Sequence, residues 1–476
     1  MIRQEEEEEE EENSLSKIEN SQEIKILITG GSGFIGNRLL RNLIKGKSSN
    51  ENKYRIRCLT RNRKSIINLE EGIDKNVEIV EGDLLNYSDC IKALSEIDIA
   101  YYLVHSMEGS TRNWKKFSEK EKITAENFKR ASTECGVKRI IYLGGLIDEK
   151  DNNVSQHMLS RKQVGEILKN SKAKITIFRA AVILGSGGGS FEMLRYLVER
   201  LPVMICPKWV NSKCQPIYID DVIEYLSQTI GKANTEGRTF DIGGPDILTY
   251  IQMMKIYSKS INKSIRVIII PILTTKISSY WIDLVTPIKA SLARPLVESL
   301  RHDSIVKDNT IEKIIPLQLK TFKESVKYCL KEGNKYKKIS IKQIKKERTS
   351  FSLNYKILLI SLCLLLFIGT TYYFLDTRHD FLKPFWLIIA IFWYLLIIFS
   401  IYFIRYGARL GALVAGIIGW STLIFWLLDN YNIASGHSVL FTNPNINETW
   451  RNILGIIIAS FTIISSHNIF NKSRHN

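Results

Sequence analysis

Short apolar runs alternate with amphipathic stretches along the first half of the chain, and long unbroken apolar runs dominate its last quarter. Ile24–Thr29, Tyr54–Thr60, Val77–Glu81, Ile99–Leu103, Arg139–Leu143 and Lys174–Arg179 have the length and composition of buried strands. Between them, Tyr87–Leu94, Phe117–Cys135 and Leu159–Asn170 space their apolar residues as helices do. Such alternation predicts an α/β, doubly wound parallel sheet, with ligands bound in the crevice at the carboxyl ends of its strands. From about 185 to 330 the pattern is mixed and punctuated by Pro202, Pro207, Pro216, Pro245 and Pro271, which predicts a small lobe on the substrate side.

Beyond Tyr355 the runs 357–375, 385–404, 410–428 and 453–470 approach the roughly 20 residues that span hydrocarbon. The expectation is an all-α transmembrane four-helix region over 355–470. The rest divides into an acidic tail (1–22), the α/β domain with its lobe (23–330) and a basic juxtamembrane linker (331–354). Glu5 to Glu12 is unbroken acid; it buries no apolar surface and is expected to be disordered.

The net charge of +17 changes the picture only through its placement. Eight basic residues against two acidic ones lie between Lys331 and Arg348, immediately before the first long apolar run. That arrangement suits the anionic headgroups of membrane lipids and argues against a nucleic-acid partner. Arg405, Arg409, Lys472 and Arg474 flank the other runs, whereas the segment with Asp429 and Glu448 lacks such an excess. Positive charge stays inside, so a multi-pass protein of the cell (inner) membrane is expected, with both termini and the α/β domain cytoplasmic. Seven cysteines without C-x-x-C spacing fit a reducing compartment, and no H-E-x-x-H or clustered Cys/His pattern suggests a metal.

The chemistry-bearing feature is Thr29-Gly30-Gly31-Ser32-Gly33-Phe34-Ile35-Gly36, set between the first strand and the first helix. Gly31, Gly33 and Gly36 satisfy G-x-G-x-x-G: one glycine for the turn, one for close approach to a pyrophosphate, one for helix–strand packing. The diphosphate would meet unpaired amides and the positive dipole end of the helix. The second strand ends in Leu59-Thr-Arg-Asn-Arg-Lys64, with no carboxylate for the ribose hydroxyls of NAD. Arg61, backed by Arg63 or Lys64, suits a 2′-phosphate, so NADP(H) is favoured over NAD(H). Asp83 and Leu84, closing the third strand, are placed to meet the adenine; capping of the next helix is the other role open to Asp83.

Together with Asn127 and Gln215-Pro-Ile-Tyr-Ile-Asp-Asp221, these motifs resemble the extended and atypical short-chain dehydrogenase/reductases. Within them the chain is similar to the group containing NmrA-like regulators and the Rossmann-type accessory subunit of respiratory complex I. Ala100-Tyr-Tyr-Leu-Val-His-Ser-Met107, Phe191-Glu-Met-Leu-Arg195 and Arg294-Pro-Leu-Val-Glu-Ser-Leu-Arg301 resemble a bacterial subgroup of oxidoreductase-like proteins. The likeness covers about residues 24 to 305 and leaves the apolar region aside.

Active members of that family carry Tyr-x-x-x-Lys on a helix; this chain has His157-Met-Leu-Ser-Arg161 at the matching place, and Leu143-Gly-Gly145 where a serine is expected. His157 is a chemically sensible proton carrier because histidine titrates near neutrality, and Arg161 suits an anion or ribose. The resemblance also places His105 near the nicotinamide end, with the hydroxyls of Ser106 and Thr111 close in sequence. Gly185-Ser-Gly-Gly-Gly189 is a candidate loop over the nicotinamide and substrate. Two functions follow as expectations. One is a membrane-anchored oxidoreductase acting on a lipid-like or quinone-like molecule; the other is a non-catalytic nucleotide sensor or scaffold with a membrane-protein partner.

Overall fold

The computed structural model describes residues 23–47, 54–67, 77–104, 114–147, 154–201, 203–270, 282, 290–375, 384–405, 409–435 and 449–475. The chain divides into two compact units; the second is made mainly of Glu332–Asn476, with the short segments Glu199–Leu201 and Tyr280–Lys289.

In the first unit, strands β1 (Ile24–Thr29), β2 (Tyr54–Thr60), β3 (Val77–Glu81), β4 (Ile99–Tyr102), β5 (Arg139–Gly145) and β6 (Lys174–Ala180) lie within one or two residues of the expected runs. Joined by β11 (Thr239–Ile242), they form a seven-stranded sheet in the order β11-β6-β5-β4-β1-β2-β3, every pairing parallel. The seventh strand comes from the stretch with the mixed pattern. Thr239–Ile242 is only four residues long, too short for an apolar run to stand out from its surroundings. Among the described residues the rest of the lobe contributes short strands: β7 (Ile183–Leu184), β8 (Val203–Pro207), β9 (Lys213–Cys214), β10 (Ile217–Tyr218), β12 (Leu248–Thr249) and β13 (Arg266–Ile270).

Strand residues alternate between two buried faces, which is why the runs are apolar throughout. On one face Leu27, Ala100, Tyr102, Ile140, Tyr142 and Ile177 pack against α3 (Tyr87–Leu94), α4 (Trp114–Glu134) and α5 (Gln156–Lys169). On the other, Tyr101 donates its hydroxyl to Leu226 O at 2.7 Å and Phe178 stacks on Tyr225, both within or against α7 (Ile219–Gln228). Helix α1 (Phe34–Lys47) shares that face. The short α2 (Lys64–Ile67) follows β2, α6 (Gly189–Arg200) follows β7, and α8 (Tyr250–Ser260), α9 (Ala290–Ser299) and α10 (Thr310–Ile314) complete the lobe. The Asp-Asp pair of the Gln215–Asp221 segment serves the fold. Asp221 accepts the Lys320 amide at 2.9 Å, and Gln215 bonds Gly244 O at 2.7 Å and Val306 N at 3.0 Å.

The second unit is helical: the C-terminal part of α11 (Phe322–Leu375), α12 (Pro384–Arg405), α13 (Arg409–Ser435) and α14 (Thr449–His475). Leu358, Leu362, Leu365, Ile397, Ala415, Ile418 and Ala459 form its core. Among the described residues two helical segments are long and apolar enough to cross a membrane, Leu410–Leu428 and Ile453–Asn471. The other two expected spans appear as shorter apolar segments, Asn354–Thr370 and Ala390–Ile404.

Candidate functional site

The strand order reverses direction between β1 and β4, and this is where open α/β sheets leave their ligand crevice. Thr29 closes the bottom of it. Its hydroxyl donates to Tyr101 O at 2.9 Å and accepts the Leu103 amide at 3.1 Å, pinning the ends of β1 and β4 together. Thr29 is fully buried, so its part in the expected cofactor set is to position the turn.

The chain reverses at Gly30, which has φ +71° and whose Cβ would lie 3.1 Å from Leu103 O. The left-handed residue is therefore Gly30 rather than Gly31, because the turn begins directly at the strand end. A Cβ on Gly31 would meet Cys58 Sγ at 3.0 Å; burial beneath it pushes the Cys58 thiol up to about 12. Gly33 donates to Gly30 O at 2.9 Å and accepts from the Asn37 amide at 3.0 Å, which starts α1. At Gly36 a Cβ would sit 2.8 Å from the Gly30 carbonyl carbon and closer still to its oxygen. Helix and turn are thus in direct backbone contact, while Ser32 and Gly33 stay exposed at the helix N-terminus. An exposed helix start, with the positive end of the dipole behind it, suits an anion. Phe34 and Ile35 are half-buried; Phe34 lies under the glycine loop after β7, where a Cβ on Gly185 or Gly188 would come within 2.7 Å of its ring. Arg38 clamps that loop, donating to Ser186 O at 2.9 Å.

Arg61 is exposed at the end of β2. Arg63 behind it is committed elsewhere, donating to Ile79 O at 3.2 Å, whereas Lys64 is exposed at the start of α2. After β3, Asp83 accepts the Leu85 amide at 3.0 Å, so its carboxylate shapes this turn rather than capping α3. Asp89, inside α3, supplies the reach-back bond to the Asp83 amide at 2.9 Å. Leu84 is buried, and Asn127 of α4 donates to both Leu84 O (3.1 Å) and Leu85 O (2.9 Å), fixing the loop where an adenine would rest.

The presumed chemical end is different in kind. His105, with Ser106 and Thr111, lies outside the described residues. His157, in the first turn of α5 after the Ser155 cap, is 6% exposed. Arg161 donates to Leu143 O and lies over the Tyr142 ring, 5.9 Å from its centroid. Its guanidinium is thereby held against the strand end. Two neighbouring tyrosines are also engaged. Tyr142 donates to Arg161 O at 3.0 Å, with burial pushing its hydroxyl up to about 12, and Tyr102 bonds Thr124 Oγ1 at 3.2 Å. Neither is the acid that the family's tyrosine would be.

A pair absent from the expected set lies one turn below His157. Ser160 donates to Glu121 Oε2 at 2.9 Å, and both residues are buried. Periodicity carried the signal: Glu121 falls on the apolar stripe Phe117, Ala125, Phe128 of α4, where a carboxylate is costly unless bonded. A small cavity of about 20 Å³ lies beside the ends of β5 and β6, lined by Leu146, Met158, Val182, Tyr250 and His302; it has room for about one water. Among the described residues no group of His, Cys, Asp and Glu is disposed to hold a metal.

Comparison with known proteins follows this geometry. The model of the NmrA-like family matches residues 22–328. The mitochondrial NADH-ubiquinone oxidoreductase 40 kDa subunit of Neurospora crassa is 23% identical over 250 residues, 52% of this chain and 62% of the subunit; the chain thus spans about three-fifths of that relative. An NADPH-dependent quinone oxidoreductase of Escherichia coli, solved with NADPH, superposes with a TM-score of 0.52 at 18% identity, over 64% of this chain and 99% of that one. The triphenylmethane reductase of Citrobacter sp., solved with NADP(H), gives 0.51 at 16% identity, over 64% and 99%. At such identities these two establish the shared fold.

Proposed function

The chain belongs to the NmrA-like family, and from that premise we propose that it is an NAD(P)H-binding oxidoreductase, held at a membrane by its helical unit and acting on a lipid-like or quinone-like substrate. The observation that carries this is the backbone contact between Gly36 and Gly30, which leaves Ser32 and Gly33 exposed at the start of α1. Those residues fit a diphosphate, with the Asp83–Leu84 turn at the adenine and Arg61 at the ribose. Arg61 favours NADP(H) over NAD(H). When bound, the cofactor would supply a hydride; the protein must then orient the substrate and provide a proton, for which His157 is the candidate and His105 the second.

Membrane attachment is supported by what the second unit turns outward. Phe367 is 66% exposed and Ile388 65%, with Phe392, Leu395, Trp420, Leu428, Phe461 and Ile464 also on the surface. Helices apolar on every side suit hydrocarbon. Hydroxyls there find partners inside the unit: Thr422 donates to Ile418 O and Thr462 to Ile458 O within their helices, and Ser400 to Gly411 O of the next, as a medium without water requires. Tethering there raises the effective concentration of a membrane-dissolved substrate. The basic 331–354 segment supports a cytoplasmic position for the α/β domain at a cell (inner) membrane.

A non-catalytic role, sensing NAD(P)H or scaffolding a membrane partner, is favoured by one specific observation: Arg161 is bound to the end of β5, and the Tyr142 hydroxyl is spent on Arg161 O. One experiment separates the two. The full chain in detergent is supplied with NADPH and a panel of short-chain quinones and carbonyl lipids. Turnover that His157→Ala abolishes while NADPH still binds supports the enzyme. Tight NADPH binding with no oxidation across the panel overturns it in favour of the sensor.

A further inference from the structure

A second cleft lies on the α4–α5 face of the sheet, on the flank of α5 toward β6 and β11. Its volume is about 220 Å³, somewhat below that of drug-sized ligand pockets and suited to a smaller molecule. The floor is Tyr142 and Ile177, and three glycines, Gly144, Gly145 and Gly165, also line it. Gly165 needs an explanation. It sits in the interior of α5, where glycine is destabilising relative to alanine. A Cβ there would meet Ile177 Cδ1 at 3.4 Å and Tyr142 Cε1 at 3.5 Å, ordinary contacts that packing tolerates. The space it keeps open is therefore not demanded by the fold.

Charge supplies the other half. Arg161, Lys162 and Lys169 line the α5 wall and Arg179 the opposite one, against a single lining carboxylate, Glu166. Lys169 pairs with Glu166 at 2.9 Å and Arg179 with the buried Asp241 at 2.6 Å, so with Asp241 counted four cations face two carboxylates, a balance of +2. Both arginines are held in place by their bonds, which preorganises their forked donors. We propose that this cleft is a binding site for a phosphate monoester on a short apolar body, the dianion matching the cationic walls and the body lying on Tyr142 and Ile177. It lies on the same helix as His157 and shares Arg161 with the expected site, and the NADPH affinity of the variants below separates it from the oxidoreductase reading.

The test is binding of phenyl phosphate to the full chain in detergent, followed by calorimetry and phosphorus NMR, with inorganic phosphate, benzoate and dioctanoyl phosphatidic acid as comparators. Phenyl phosphate should bind more tightly than inorganic phosphate or benzoate. Gly165→Leu, which fills the cleft, and Lys162→Glu, which reverses an exposed charge without touching the core, should each weaken it about tenfold or more. Affinity for NADPH should stay unchanged in both, which also shows that the variants fold. Tighter binding of the short-chain phosphatidic acid identifies a lipid headgroup as the source, and weaker binding a soluble ester; both support the site. Absence of binding at millimolar phenyl phosphate, equal binding of benzoate, or indifference to both substitutions overturns it.

Discussion

Substituting Gly36 by alanine is the sharpest probe of the nucleotide cradle, because its cost follows from one distance. The new methyl carbon would lie 2.8 Å from the Gly30 carbonyl carbon and 3.0 Å from Gly31 Cα. Carbon atoms settle at about 3.5 Å or more, so α1 must retreat from the turn by about 0.7 Å. The obstacle is backbone on both sides, with no side chain to swing away, and overpacking of this kind costs about 1–3 kcal/mol. The same retreat lengthens any bond from the first amides of α1 to a phosphate, from about 2.9 Å to about 3.6 Å, beyond useful hydrogen-bond range. Two such bonds to a charged group contribute roughly 3 kcal/mol or more, which corresponds to a loss of at least about a hundredfold in affinity. Calorimetric titration of the full chain in detergent with NADPH measures the affinity, and a thermal melt measures the packing term. Gly165→Ala is the control, since its Cβ contacts begin at 3.4 Å; it should melt slightly higher and bind NADPH unchanged. Undiminished NADPH affinity in Gly36→Ala would refute the cradle.

Three further outcomes are expected. Arg61→Ala should weaken NADPH about tenfold or more and NADH less than about twofold, as loss of a charge-assisted bond to a 2′-phosphate requires; equal losses in titration sink the NADP(H) preference. Asn127→Leu removes the donors to Leu84 O and Leu85 O, at about 1–2 kcal/mol of stability; NADPH should bind less tightly while reduced nicotinamide mononucleotide, which lacks the adenosine half, is unaffected. Burial raises the Asp221 carboxyl above its ordinary value, only partly offset by the Lys320 amide. Its native state therefore binds the proton more tightly than the unfolded chain, and stability is gained as pH falls through the raised value and lost above it. Asp221→Asn, which keeps an acceptor for Lys320, should gain thermal stability over the parent as pH rises from about 4; parallel melting curves across that range contradict it.

The six strands and three of the helices were legible because each run was long, apolar and bounded by turn residues. Where the signal was weaker the expectation slipped. Thr239–Ile242 joins the sheet through register with Ile177–Ala180, a tertiary fact that four residues of local pattern do not carry. The glycine motif was legible in kind, but assigning the turn to Gly31 rather than Gly30 mistook spacing for dihedral angle, since only the backbone shows which residue leaves the strand at positive φ.

The chemical end resisted prediction for a different reason. A motif compares identities at aligned positions, whereas proton transfer depends on which hydrogen bonds those residues already make. Arg161 occupies the family's lysine position, yet its guanidinium is spent on Leu143 O and on the Tyr142 ring. Once Gly145 replaces a hydroxyl-bearing residue, a Cβ there would collide with Met158 at 2.6 Å, so the strand end and α5 have closed on the space a serine would use. The Tyr142 hydroxyl, burial-raised to about 12, has in turn become a structural donor to Arg161 O. These changes are mutually consistent: glycine admits Met158 and the arm of Arg161, and Arg161 then braces the strand end. On the proposed reading proton delivery falls to His157, with His105 the second candidate, and it is at His157 that substitution separates an altered enzyme from a retired one.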